Sequence, residues 1–327
     1  MKVLVIGGTG LISGPVVSAL QERGAEVTIF HRNRLPVDLR GKTLEIIGDR
    51  SDRETFGGLV RMAGAWDCII DMIGGTPEDA AGLIEAAQDV TPQVIFCSTT
   101  TVYRRPFRSL PVNEEADCSP PSPYGENKLA AERMLWRMAE RGNFHLTVFR
   151  PAHIYDHRSL PLHVLGTRTS HLDRIRCGRP ILVPDDGDVR WSSLWADDCA
   201  VAIAAAAGNC RAYGKTYNLA GAERFSWGGY QELCAKSLGV AVPELVPISM
   251  ESLASLAPER SAQCRRTLRF GGDYDCTAAE RDLGFRPKVC ILEGLKRNIR
   301  FLLENKQIEP WENDQQYEDI MARCIKF

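Results

Sequence analysis

The chain alternates short runs of apolar, often β-branched residues with longer stretches whose apolar positions recur at helical intervals. Val3 to Ile6, Val27 to Phe30, Leu44 to Ile47, Cys68 to Met72, Val94 to Ser98 and His145 to Phe149 read as six strands. Leu11 to Arg23 carries apolar residues at Leu11, Ile12, Val16, Val17, Ala19 and Leu20, a helical pattern that Gly24 stops. Asp52 to Ala63, with Asp52 as cap, Pro77 to Gln88 and Ser122 to Arg141 predict three more helices. Continuous apolar strands imply burial on both faces, and strand–helix alternation implies right-handed βαβ units. The pattern therefore predicts an α/β fold with a doubly wound parallel sheet in residues 1–150. After Arg150-Pro151 the rhythm changes to turn-rich pieces and short helices. Residues 151–327 are expected to form a smaller C-terminal lobe, with elements such as Tyr217 to Leu219 returning to the sheet.

Composition narrows the class without naming a function. Of 327 residues, 44% are hydrophobic and 25% charged, values ordinary for a globular protein and foreign to collagen-like or disordered chains. Forty basic against 42 acidic side chains leave a net charge of −2, which supplies no global pull toward nucleic acid or anionic membrane. The longest apolar run, around Ala200 to Ala207, falls short of the roughly 18 residues a membrane helix needs. MKVLVIGG passes straight into a glycine turn without a signal peptide's longer apolar core, so a cytoplasmic protein is expected. The 11 cysteines include no C-x-x-C pair; free thiols and no resident metal are expected.

Two motifs carry chemistry. Gly7-Gly8-Thr9-Gly10-Leu11-Ile12-Ser13-Gly14 follows the first strand and opens the first helix. There a Rossmann-type sheet cradles the pyrophosphate of a dinucleotide on backbone N–H groups, which marks Gly7, Thr9, Gly10, Leu11 and Ile12 as cofactor-binding. Ser13 occupies the third glycine slot, and its Cβ is expected to push the helix slightly outward. Tyr124 and Lys128, four residues apart, fall on one helical face. A cation about 4 Å from a phenol, at an effective dielectric near 20, is worth roughly 4 kcal/mol or about three pK units. Lys128 is therefore expected to draw Tyr124 toward neutrality as a proton carrier, both residues lying against the cofactor.

The glycine turn, the Tyr124-x-x-x-Lys128 pair and the chain length together resemble the extended short-chain dehydrogenase/reductases. The nearest group is the NAD-dependent epimerase/dehydratase family that acts on nucleotide sugars. The likeness covers nearly the whole chain and is firmest up to Pro151. It implies that Thr99, 25 residues before Tyr124, hydrogen-bonds the reacting oxygen and completes a catalytic set of Thr99, Tyr124 and Lys128. Thr100-Thr101 stand where dehydratases of the group carry Asp-Glu, which argues against dehydration. NAD-using members place an acidic residue where His31 stands. Its absence, with Arg32 and Arg34 set to meet a 2′-phosphate, inclines the cofactor to NADP over NAD, although solvated loop arginines would look the same. Asp49-Arg50 resembles the family's adenine-contacting pair. His153 replaces an Asn that contacts substrate, and reads equally as a packed histidine. Arg190 stands where an Arg grips the substrate diphosphate. Thr99, His153 and Arg190 are thus the implied substrate contacts, and residues 151–327 mainly the substrate-binding lobe.

Three functions follow from the resemblance. The first is an epimerase that passes a nucleotide-linked sugar through a transient ketone. The second is an NADPH-dependent carbonyl reductase of a small molecule. The third is an RNA-binding relative without turnover, against which the near-neutral charge counts. A homodimer is common in the family; no membrane partner is implied.

Overall fold

Seven parallel strands form the centre of the structure, a computed structural model that describes residues 1–34, 41 and 43–324. They are β1 (Lys2–Ile6), β2 (Glu26–His31), β3 (Leu44–Ile47), β4 (Cys68–Asp71), β5 (Gln93–Cys97), β6 (His145–Pro151) and a late strand, Lys215–Leu219. Across the sheet the late strand is followed by β6, β5, β4, β1, β2 and β3. Strand order reverses at β1, which pairs with both β2 and β4. A crevice at the carboxyl ends of the strands is where such sheets bind ligands.

Helices cover both faces because both faces are apolar. On one side α1 (Ser13–Glu22) and the helix Ala196–Ala206 bury Val16, Val17, Leu20 and Ile203 against Val5 and Ile29. On the other, α2 (Arg53–Met62), α3 (Pro77–Ala87) and α4 (Pro123–Glu140) bury Phe56, Leu83 and Leu135 against Ile6 and Phe96. A separate core around Trp191, Trp227, Tyr230 and Leu302 fills the C-terminal half.

Local chemistry sets the helix starts. Asp52 accepts the Thr55 N–H, Thr76 and Asp79 form a reciprocal capping box, and Ser122 accepts the Gly125 N–H. The first helix differs. It begins at Ser13 rather than Leu11, no side chain caps it, and its first turn holds no acidic residue. Leu11 and Ile12 belong to the glycine turn, which runs two residues longer than apolar periodicity suggests. Gly7 and Gly8 adopt φ of +110° and +102°. A Cβ on Gly8 would lie 2.6 Å from Ile29 Cγ2, so only glycine lets the turn approach β2 this closely. Ser13 does more than add bulk: it is buried, and its hydroxyl accepts the Gly10 N–H at 2.8 Å, closing the turn. Among the described residues, no helix is long and apolar enough to cross a membrane. All 11 cysteines are free.

Candidate active site

The loops after β1, β2 and β3 enclose a cleft of about 460 Å³. Gly7, Thr9, Gly10, Arg32, Asp49 and Arg50 line it, joined by Ser13, His31 and Arg34; Leu11 and Ile12 do not. Hydrogen bonds from the Ser51 hydroxyl and N–H, at 2.7 and 3.0 Å, hold the Asp49 carboxyl below its usual range, with help from the charges of Arg32 and Arg34. The cleft thus presents two exposed guanidinium groups and the carboxylates of Asp49 and Asp79, the latter paired with Arg50. His31, where no carboxylate stands in the sequence, is met from β3 by Glu45 at 2.8 Å.

Arg50 lines this cleft, but its guanidinium is engaged elsewhere. Its Nη1 donates to Asp71 Oδ1 at 2.8 Å, its Nη2 to the Asp79 carbonyl at 2.9 Å, and its Nε lies 3.1 Å from Asp79 Oδ1. Asp71 ends β4 fully buried and also accepts the N–H groups of Ile73 and Gly74. Burial alone would raise its carboxyl, but Arg50 and these two N–H groups hold it low. Arg50 and Asp71 therefore lock the loops after β3 and β4 together beside the cleft. Asp71 was detectable as a lone acid ending a buried apolar run, a signal easily taken for a strand boundary.

Lys128 is buried. Its Nζ donates to the carbonyls of Gly74 and Cys97 at 2.6 and 2.7 Å, bridging the ends of β4 and β5. Tyr124 is 55% exposed as a residue, yet its hydroxyl end is desolvated, and it shares a cleft with Thr99. Lys128 is not among the groups that shift Tyr124 here. Burial and the neighbouring Cys97 push the phenol above its usual value, while Thr99 pulls it down. Two strong carbonyl acceptors orient the ammonium toward the sheet, and desolvation dominates at the phenol.

Thr99 and Tyr124 open into a second cleft of about 190 Å³, shared with His153, Trp191, Ser192 and part of the segment Gln263–Tyr274. His153 Nδ1 meets Ser193 Oγ at 2.8 Å, and burial pushes its imidazole down to about 4, so it stands neutral. It both packs, edge-on to Trp191, and lines the cleft. Arg190 does not join it. Successive side chains of the strand Arg190–Trp191 face opposite ways; Trp191 turns inward and Arg190 is exposed. The carbonyl of Arg190 instead accepts the Gly272 N–H at 3.0 Å. Gly271, with φ +73°, is held there because a Cβ would sit 2.3 Å from that carbonyl oxygen. Sequence reasoning missed Arg105, Ser192 and Tyr274. Arg105 follows the Thr99 motif closely enough to have been examined, whereas nothing local marks residues 263–274 as part of a site.

The model of the NAD dependent epimerase/dehydratase family matches residues 3–220. The chloroplast stem-loop binding protein of 41 kDa b from Arabidopsis thaliana is 28% identical over 90% of this chain and 77% of its own length. The 2′-dehydrokanamycin reductase of Streptomyces kanamyceticus is 29% identical over 73% of this chain and 67% of its own. Among solved structures, UDP-glucose 4-epimerase from Thermotoga maritima with UDP-glucose superposes with a TM-score of 0.74 at 21% identity, covering 94% of this chain and all of that one.

Proposed function

The chain belongs to the NAD-dependent epimerase/dehydratase family and is an enzyme of the extended short-chain dehydrogenase/reductase type; from that premise we propose that it epimerises a nucleotide-linked sugar through a transient ketone. The observation that carries the reading is that Thr99, just after β5, and Tyr124, one helical turn from Lys128, line the same cleft. One proton carrier and one hydroxyl side by side suit the holding of an alcohol oxygen. No carboxylate lines this cleft among the described residues, so dehydration lacks its acid–base pair.

The glycine cradle and the uncapped start of α1 fit a dinucleotide pyrophosphate. Gly7, Thr9 and Gly10, which line the cleft, would hold it. Arg32 and Arg34 suit a 2′-phosphate, which inclines the site to NADP over NAD; Asp49 suits the adenine amino group. When bound, the dinucleotide would supply reversible hydride acceptance. Tyr124 would take the proton of the substrate hydroxyl and later return it, and Thr99 would hold the same oxygen while the ketone turns in the cleft. Lys128 braces the ends of β4 and β5 through the Gly74 and Cys97 carbonyls.

A second reading, one-way reduction of a ketone with NADPH, uses the same residues. The raised phenol suits Tyr124 as a proton donor, the cleft is small, and Arg190 lies outside it. Incubation with UDP-glucose and catalytic NAD or NADP separates the two. The epimerase produces the C4 epimer without net cofactor consumption. Absence of any epimer from a panel of nucleotide sugars, with steady NADPH loss on ketone substrates, would overturn the first reading in favour of the second.

A further inference from the structure

The deeply set arginines of this protein face carboxylates. Arg50 faces Asp71 and Asp79, Arg150 faces Glu132, Arg174 faces Glu318 and Arg260 faces Asp314. Arg105 breaks the pattern inside the substrate cleft. Its Nη1 donates to the carbonyls of Tyr103 and Arg104 at 3.1 and 3.3 Å, and its Nη2 to the Thr100 carbonyl at 3.1 Å and Tyr274 Oη at 3.0 Å. The Phe107 ring covers its guanidinium at 3.8 Å. Its Nε is buried with no partner, and among the described residues no carboxylate lies within ion-pair distance of it.

Neutral acceptors fix the fork's position without neutralising it. Burial consequently disfavours the charge here, as the downward shift of Arg105 reflects. A desolvated, pre-oriented guanidinium without a counter-ion offers an oxyanion its charge and its one unpartnered donor, the Nε–H, and the ligand supplies the missing negative charge. Arg105 reaches the carbonyl of Thr100, one residue from Thr99, so the charge stands close to the reacting end of the cleft.

We propose that Arg105 is a specificity-determining residue that binds a carboxylate or phosphoryl group carried by the substrate near its reacting carbon. The inference deepens the proposed function in naming an anionic substrate, and rests on that reading only in placing Tyr124 at the reacting carbon.

Calorimetric titration of the full chain with UDP-glucuronate, UDP-glucose and inorganic phosphate tests it, in wild type and Arg105→Gln. A carboxylate subsite makes UDP-glucuronate bind about tenfold or more tighter than UDP-glucose, a preference that Arg105→Gln abolishes. A phosphoryl subsite makes Arg105→Gln weaken both nucleotides and inorganic phosphate by about tenfold or more. Affinity for NADP moves less than about twofold in either case, since Arg105 lines the other cleft. If Arg105→Gln leaves all three ligands unchanged, the subsite is overturned while the nucleotide-sugar reading stands. If neither nucleotide binds wild type, the nucleotide-sugar reading falls; the subsite then stands if free glucuronate or phosphate binds in an Arg105-dependent way, and falls if it does not. Should Arg105→Gln fail to fold, Arg105→Lys keeps the charge without the fork and should weaken the same ligands by several-fold; unchanged binding there overturns the proposal.

Discussion

The first cleft draws its lining from strand-end loops spread over residues 7–79, whereas the second gathers residues from 99 to 274. Their charges differ as well. In the first, Arg50 sits buried between Asp71 and Asp79, and Arg32 and Arg34 stand exposed near Asp49. In the second, Arg105 is desolvated with neutral neighbours, and His153 is held uncharged. A cleft built from consecutive βα loops needs only the sheet to form. A cleft built from distant segments needs the C-terminal half docked on it, and its polar groups await a ligand. The contrast teaches that a cleft built from neighbouring loops can be rigid by internal pairing, while one assembled from distant segments can hold a charge without a counter-ion.

Four experiments would break or sharpen this contrast. Tyr124→Phe should lower turnover by about 10²- to 10⁴-fold while NAD(P) affinity, measured by titration, stays nearly constant. Wild-type-like turnover would remove the second cleft's claim to the chemistry. Asp71→Ala leaves Arg50 buried without its closest carboxylate and should destabilise the fold by about 3–5 kcal/mol in urea unfolding. A loss below about 1 kcal/mol would show that the first cleft does not depend on its internal ion pair.

Acid should act on the C-terminal half. His171 is buried there beside His163, and its imidazole is pushed down from 6.5 to about 4 by burial. The unfolded state then binds a proton that the folded state refuses. Its stabilisation is complete above about pH 6.5 and is lost progressively as pH falls toward about 4, a loss of about 3 kcal/mol. Hydrogen exchange at descending pH should loosen Ser170–Arg176 before β1 and β4. Simultaneous loosening would mean the two halves share one fate. The smallest effect is expected from Arg32→Ala, which should weaken NADP roughly tenfold more than NAD. Equal losses would leave Arg32 as a solvated loop residue.

Much of the first cleft was legible because its determinants are local. Gly7 and Gly8 need positive φ, Asp52 and Ser122 cap the helices they precede, and strand-end positions follow from strand periodicity. Arg50 shows the limit even there. Its neighbour Asp49 does line the cleft as a charged group, but whether Arg50 reaches out or turns in depends on Asp71 and Asp79, which belong to other elements.

Sequence alone determined that the chain alternates strand and helix, that its first turn suits a dinucleotide, and that Tyr124 and Lys128 lie one turn apart on a helix. These are properties of short stretches, set by backbone sterics and apolar spacing. Tertiary structure decided that Lys128 points at two carbonyls, that Arg190 turns outward where Trp191 turns in, and that Arg105 enters the second cleft without a counter-ion. Each of those outcomes depends on what distant chain segments bring alongside. A side chain's charge is written in its identity, but its solvation and its partners are set only when the fold closes around it.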